Sequence, residues 1–185
     1  EKGGVNFRAF YKKIFRLPTL NDLYYTTIGN IHLDPEYTTQ YNIGITFEKN
    51  FPSLSFKHIE LQADVYYNKV NNKIVAIPAN NPFRWMMLNL GTVKIKGMDV
   101  SLQGSFLFVK SWQLNTRINY TYQKAQDFTD PKDTYYKGQI PYIPIHSGTA
   151  IAGIEYKDWN INYSFIYTGE RYDSRANIPA NYIQP

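Results

Sequence analysis

Trp159-Asn160-Ile161-Asn162-Tyr163-Ser164-Phe165-Ile166-Tyr167-Thr168 reads as a single β-strand with two unlike faces. Trp159, Ile161, Tyr163, Phe165 and Tyr167 share one parity. Asn160, Asn162, Ser164 and Thr168 share the other, and Ile166 alone breaks the rule. Period two sends successive side chains to opposite faces of a strand. The same alternation runs through residues 5–11, 41–47, 61–67 and 114–122, and seven such stretches can be traced along the chain. Residues 157–158 and 109–111 are tight links between them and 50–57 is fairly short, whereas 15–36, 71–89 and 125–145 are long. Long and short links alternate, which describes an antiparallel up-and-down sheet with turns on one rim and loops on the other.

The strands are long. Those of soluble proteins cluster near 5–6 residues, whereas these alternate for about ten. Ten residues at roughly 3.3 Å each span about 33 Å. Tilted by about 45°, they project to roughly 23 Å, close to the ~25 Å apolar band of an outer-membrane barrel. The apolar parity is free of charge: Ile161, Tyr163 and Phe165, and likewise Leu114, Thr116, Ile118 and Tyr120, include no Lys, Arg, Asp or Glu. A Lys or Arg at mid-bilayer costs about 2–4 kcal/mol. The other parity carries Gln113, Asn115, Arg117 and Asn119, or Glu60, Gln62 and Asp64, which suits a watery lumen. The fold class expected is all-β, an antiparallel up-and-down transmembrane β-barrel.

Composition agrees. Aromatic residues make up 17% of the chain, and 17 of them are Tyr. Phe47, Phe51, Phe56, Phe106, Phe108, Trp112, Tyr156 and Trp159 bracket the short turns, while Tyr11, Tyr37, Tyr66, Tyr122 and Tyr167 lie toward the long loops. Two such belts fit the two headgroup levels, although aromatic rings also favour strands in general. Mean hydropathy is −0.45, and no apolar run is long enough for a transmembrane helix. Cysteine is absent, which excludes disulfides and Cys-based metal sites. The net charge of +5 is scattered without a basic run, so no nucleic-acid partner is expected.

One stretch breaks its own pattern. Val93 and Ile95 fall on one parity and Met98, Val100, Leu102 and Phe106 on the other, with Gly97 between them. A glycine at a parity switch predicts a β-bulge; the alternative is a strand that ends at Lys96 and restarts. Seven strands are too few and too odd for a closed bacterial barrel. The chain also opens at Glu1 without a signal peptide and ends in a polar stretch, 171–185. A slice of a larger barrel is therefore expected.

The first long loop carries a more specific signal. Phe15-Arg16-Leu17-Pro18-Thr19-Leu20, Asp22-Leu23-Tyr24, Gly29-Asn30 and Leu33-Asp34-Pro35-Glu36 resemble the signature of TonB-dependent outer-membrane receptors. Leu90-Gly91, Lys96-Gly97-Met98-Asp99, Tyr120-Thr121-Tyr122-Gln123-Lys124-Ala125, Ile140-Pro141-Tyr142-Ile143-Pro144-Ile145-His146 and Tyr167-Thr168-Gly169-Glu170-Arg171-Tyr172 follow in that family's order. The first run is worded most like receptors of the Bacteroides group. The resemblance implies a partial β-barrel domain over 1–185, about strands 13 to 19 of a 22-stranded barrel, with the plug domain, Ton box and last strands lying outside it. It gives Phe15, Arg16, Pro18, Leu23, Tyr24, Asn30, Leu33, Pro35, Glu36 and Gly97 as structural motif positions.

The same resemblance implies active import of a scarce bulky nutrient, an iron–siderophore, haem or cobalamin, energised through TonB. The partners implied are the outer-membrane bilayer, TonB, a metal-chelate or corrin ligand and a surface lipoprotein. Its ligand is met at the extracellular mouth, so the binding candidates are loop residues: Tyr24, Tyr25 and Asn30; Phe83, Arg84 and Trp85 beside Met86 and Met87; Tyr135 and Tyr136; Arg171 and Tyr172. Aromatic rings with an Arg suit a large planar or anionic chelate, and loop packing is the competing reading.

No catalytic constellation stands out, and neither an enzyme nor a cofactor is expected. His32, His58 and His146 are far apart without a paired carboxylate or nucleophile. Asp127, Asp130 and Asp133 lack the ligand spacing and glycine of a calcium loop, so no metal site is assigned. The sequons at Asn119 and Asn162 fall inside strands. Two other classes compete with the importer. A passive porin would lack the Phe-Arg-x-Pro and Leu-x-Pro-Glu order, and a soluble carbohydrate-binding sheet would pack its apolar parity on a second layer.

Overall fold

The computed structural model describes residues 3–52, 55–78, 85–109, 111–178 and 182–183. Seven strands form one antiparallel sheet: β1 Gly4–Arg16, β2 Glu36–Asn50, β3 Phe56–Pro78, β4 Trp85–Val109, β5 Trp112–Asp127, β6 His146–Tyr156 and β7 Trp159–Thr168. Each pairs with the next in sequence order, and the sheet is open. A short helix, α1 Leu20–Tyr24, lies between β1 and β2, and β8 Arg171–Tyr172 pairs with β9 Tyr182–Ile183. The expected short turns fall between β2 and β3, β4 and β5, and β6 and β7.

The register lays the sequence pattern out as rows across the sheet. One row reads Val5, Phe47, Leu61, Leu102, Ile118, Ala150 and Phe165, apolar throughout. A row on the opposite face reads Arg8, Gly44, Asp64, Asp99, Thr121, Ser147 and Thr168. No second layer covers the apolar face among the described residues. Ile118, in the middle of the sheet, is 51% exposed and Tyr163 is 68% exposed. A soluble protein rarely leaves so much contiguous apolar surface bare, whereas a lipid-facing wall does.

The polar face is knitted across strands. Arg8 on β1 pairs with Asp64 on β3 over the top of β2, and its guanidinium also donates to Thr46 Oγ1 at 2.8 Å. Gly44 permits this crossing, because a Cβ there would sit 2.2 Å from Asp64 Oδ1. Further along, Asn115 donates to Glu155 at 3.2 Å and Asn119 to Thr149 at 2.9 Å.

Two sequence expectations need correction. Residues 71–89 are not one long loop: β3 and β4 keep pairing from Lys73↔Leu90 to Pro78↔Trp85. The β-branched and aliphatic run 73–77 opposite 86–90 makes a good ladder where the Asn residues around it suggested a loop. Nor is there a bulge at Gly97. The register runs unbroken through Tyr66↔Gly97↔Gln123, and shifts occur only near Phe56/His58 and Leu107/Val109. Gly97 instead makes room for the Tyr66 ring, since a Cβ would meet Tyr66 Cζ at 2.2 Å.

The apolar residues change sides because their surroundings change. Val93 and Ile95 lie on the polar-parity face but above its watery stretch. There they are buried with Val70, Ala125 and Ile140, and Tyr66 and Ile143 pack against the cluster. The true parity break lies higher. Val75, Ile77 and Leu90, of the opposite parity, join the same cluster beyond Asn72. Asn72 has φ of 55°, a left-handed conformation that asparagine tolerates better than most residues.

Candidate functional site

Among the described residues, many chemically distinct side chains converge at the long-loop rim. Its first element is a latch built from Arg16, the second residue of the Phe-Arg pair that ends β1. Arg16 donates to Asp22 Oδ2 at 2.9 Å and pairs with Glu36 Oε1 at 3.3 Å. Asp22 also completes a capping box with Thr19, the N-cap of α1, a motif that satisfies free backbone N–H groups at a helix start. Pro18 sits just before that cap. Glu36 is buried and accepts from Ile74 N at 2.7 Å and Lys73 Nζ at 3.1 Å. One acidic residue at the start of β2 thus ties β1, α1 and the β3 extension together.

Asn30 and Asn89 seat the rest of this loop on β4. The Asn30 side chain donates to Met87 O at 3.1 Å, and Met87 N donates to Ile28 O at 3.1 Å. Asn89 accepts from Asp34 N at 2.8 Å and donates to Asp34 O and Asn72 O. Leu33 is buried beneath. Tyr24 and Tyr25, by contrast, stand clear at 67% and 58% exposed.

On the other side of the β3–β4 extension, residues 128–145 and the segment after β7 are joined. Trp85 packs its ring on Tyr142 with centroids 5.0 Å apart, and Tyr142 N donates to Tyr172 O at 2.8 Å. Arg175 donates to Asp127 at 2.8 Å and to Asp133 at 3.2 Å, with its guanidinium 4.7 Å from the Tyr135 ring centroid. Asn177 bonds the Gln139 backbone at both its N–H and its carbonyl. Burial, then the Asp173 carboxylate, push the Tyr142 phenol above the ordinary phenol range. Tyr136 meets Phe128 edge-on at 5.4 Å, and Arg171 donates to Gly169 O at 3.4 Å.

The structure therefore brings Trp85, Tyr135 and Tyr172 into one linked rim and holds Tyr24, Tyr25 and Asn30 on its other flank. Phe83 and Arg84 lie outside the described residues. Tyr142, Gln139, Arg175 and Asn177 were missed. Tyr142 was visible only as a spacer between Pro141 and Pro144, and Arg175 has no local signal at all. Asp127 and Asp133 are held by Arg175, while Asp130 makes an Asx turn to Lys132 N at 2.9 Å. No group of three or more His, Cys, Asp or Glu among the described residues is placed to hold a metal. His146 opens β6, and its Nδ1 lies 2.7 Å from the Tyr120 hydroxyl.

An open, seven-stranded up-and-down sheet with a charge-free band on one face and elaborated loops on one rim has counterparts among known proteins. Residues 3–185 match the family described as TonB dependent receptor-like, beta-barrel. The chain belongs to that family. The Vitamin B12 transporter BtuB of Photobacterium profundum is 29% identical over 170 residues, which is 88% of this chain and 24% of that protein. The protein of the same name from Vibrio vulnificus is 31% identical over 96 residues, 52% of this chain and 14% of that one. The solved structure of Copper transporter OprC aligns with a TM-score of 0.64 at 16% identity, covering 92% of this chain and 24% of the other. At that identity the likeness concerns the fold. The chain thus spans about a quarter or less of the length of these relatives, and they lend no support to a Bacteroides-group origin.

Members of this family are outer-membrane β-barrels, so the row from Val5 to Phe165 faces lipid and the row from Arg8 to Thr168 faces the lumen. The register sorts the residues onto the two faces that parity alone separated.

Proposed function

We propose that this chain forms part of the wall and mouth of a receptor that imports a scarce, bulky nutrient across the outer membrane, energised through TonB. Cobalamin is the favoured substrate class, because both curated relatives named above carry vitamin B12 in their names; iron–siderophore and haem are the other candidates. The receptor makes and breaks no bond on its cargo. TonB, engaged through parts of the receptor outside this chain, and a surface lipoprotein are the proposed partners.

The observation that carries the reading is a rim tied together by long-range hydrogen bonds that still leaves Tyr24 and Tyr25 exposed on a fixed loop. Fixed, uncommitted rings suit capture of a large ligand, because little loop entropy remains to be lost on binding. Trp85, Tyr135, Tyr136, Arg171 and Tyr172 complete the proposed contact set with Asn30, Phe83 and Arg84.

The test is uptake and equilibrium binding of labelled cobalamin, ferric siderophore and haem by cells that carry the intact receptor, with and without TonB. Tyr24→Ala with Tyr25→Ala should weaken binding of one cargo by roughly 5–30-fold, the loss of about 1–2 kcal/mol of ring contact. Receptor quantity at the surface should not change. TonB-independent uptake of all three would refute the reading.

A further inference from the structure

Five lysines crowd the lipid-side face just above its charge-free band. The register puts Lys13, Thr39, Lys69, Lys94 and Gln126 in one row, and Tyr11, Tyr41, Tyr67, Lys96 and Lys124 in the row beneath. Lys69 lies directly opposite Lys94, and Lys96 directly opposite Lys124. Like charges directly opposite each other destabilise a sheet, and here two such pairs share a corner of three adjacent strands.

Among the described residues no carboxylate on that face neutralises them. By the same register, the carboxylates of the seven strands, Glu36, Glu48, Glu60, Asp64, Asp99, Asp127 and Glu155, all fall on the lumen face. None of the five lysines makes an ion pair among the described residues. Lys94 instead stands 4.1 Å from the Phe128 ring centroid. In the lower of the two rows, beside Lys96, the Tyr11, Tyr41 and Tyr67 rings follow one another at 5.2 and 6.3 Å. These rings, with Lys94, Lys96 and Tyr122, line an open groove of about 1250 Å³. Tyrosine rings mark the headgroup level of a membrane protein, so the ammonium groups stand where outer-leaflet headgroups lie.

We infer that this patch is a binding site for an anionic, phosphate-bearing lipid of the outer leaflet. Its phosphates lie among Lys69, Lys94, Lys96 and Lys124, and its apolar part runs down the tyrosine-lined groove. The inference rests on membrane orientation and is independent of the import reading. An anionic headgroup explains why two opposed lysine pairs persist on a face without carboxylates. Rows of the same face are about 7 Å apart and neighbouring strands about 4.8 Å apart, so the four ammonium groups can surround two phosphates of one headgroup.

The experiment is native mass spectrometry of the purified intact receptor titrated with bisphosphorylated lipid A, with phosphatidylethanolamine and inorganic phosphate as comparison arms. Each lysine near an anionic surface contributes about fivefold in affinity. Lys96→Gln with Lys124→Gln should therefore weaken lipid A binding by roughly 30-fold, and adding Lys69→Gln and Lys94→Gln should deepen this to roughly several hundredfold. Lys12→Gln with Lys157→Gln, one on the lumen face and one in the β6–β7 turn, should leave it unchanged. Binding unaltered in the four-lysine variant overturns the proposal, as does equal displacement by inorganic phosphate, which would mark a bare anion site. A second readout guards against misfolding: in lipid-free detergent the four-lysine variant should unfold no earlier than wild type, since repulsion is relieved. Earlier unfolding would assign the lysines to the sheet itself and overturn the proposal too.

Discussion

β4 meets two different environments on either side of Gly97 while keeping one register with its neighbours. Below Gly97, Met98, Val100 and Leu102 carry the apolar character on the lipid side, and Asp99, Ser101 and Gln103 face the lumen. Above it, Val93 and Ile95 carry it on the lumen side, buried with Ile140, and Lys94 and Lys96 take the lipid side. The backbone does not turn over between these stretches. What changes is the medium: hydrocarbon outside and water inside at one level, then headgroups outside and a packed loop inside at the next. In a strand that crosses a membrane boundary, hydrophobic parity therefore reports which side is dry, and a switch in parity need not report a bulge.

The lower stretch gives the strongest test. Ile118→Arg puts a cation on the lipid row at a cost of about 2–4 kcal/mol, whereas Asn119→Arg faces the lumen and costs far less. In the intact receptor the first should fall sharply in folded, heat-modifiable form in outer-membrane fractions, and the second should remain near wild type. Equal levels of the two would break the assignment of faces on which the comparison stands.

The boundary itself gives the next. Gly97→Ala drives a methyl into the Tyr66 ring, and overpacking of this kind costs about 1–3 kcal/mol. If crowding is the reason, Tyr66→Ala placed in the same chain should recover most of the loss, measured by thermal unfolding in detergent. An uncoupled pair would mean that Gly97 is needed for something other than room for the Tyr66 ring.

The sheet was legible because lipid imposes a severe local rule: most residues of Trp159–Thr168 and 114–122, Ile166 and Thr116 apart, declare their face by polarity alone. The short turns were legible because parity stops and restarts across them. The β3–β4 extension was hidden by its Asn-rich surroundings, Asn71-Asn72 and Asn80-Asn81-Pro82, which read as loop although 73–77 and 86–90 pair in full. The rim was the least legible region. Arg16, Thr19, Asp22 and Glu36 could be recognised as a motif, but their roles as cap and latch depend on β3 supplying Lys73 and Ile74 from 37 and 38 residues away. Tyr142 and Arg175 act through partners that no local pattern encodes.

Arg175 is the clearest case of that non-local dependence and offers the smallest of the expected effects. Its guanidinium bridges Asp127, at the top of β5, to Asp133 in the following loop, and covers the Tyr135 ring. Partly exposed ion pairs contribute up to about 1 kcal/mol, too little for the barrel to notice. Arg175→Ala should therefore leave the thermal unfolding of the intact receptor almost unshifted. The loop should respond instead, because one of the contacts holding the segment after β7 on it would be lost, while those of Asn177 and the Tyr142 N–H bond to Tyr172 remain. Hydrogen exchange at residues 128–145 should speed up by roughly fivefold, the rate equivalent of that energy, while exchange at 93–106 stays as it was. Faster exchange in both regions would show that rim and wall open as one unit, and the division drawn at Gly97 would not describe how the protein moves.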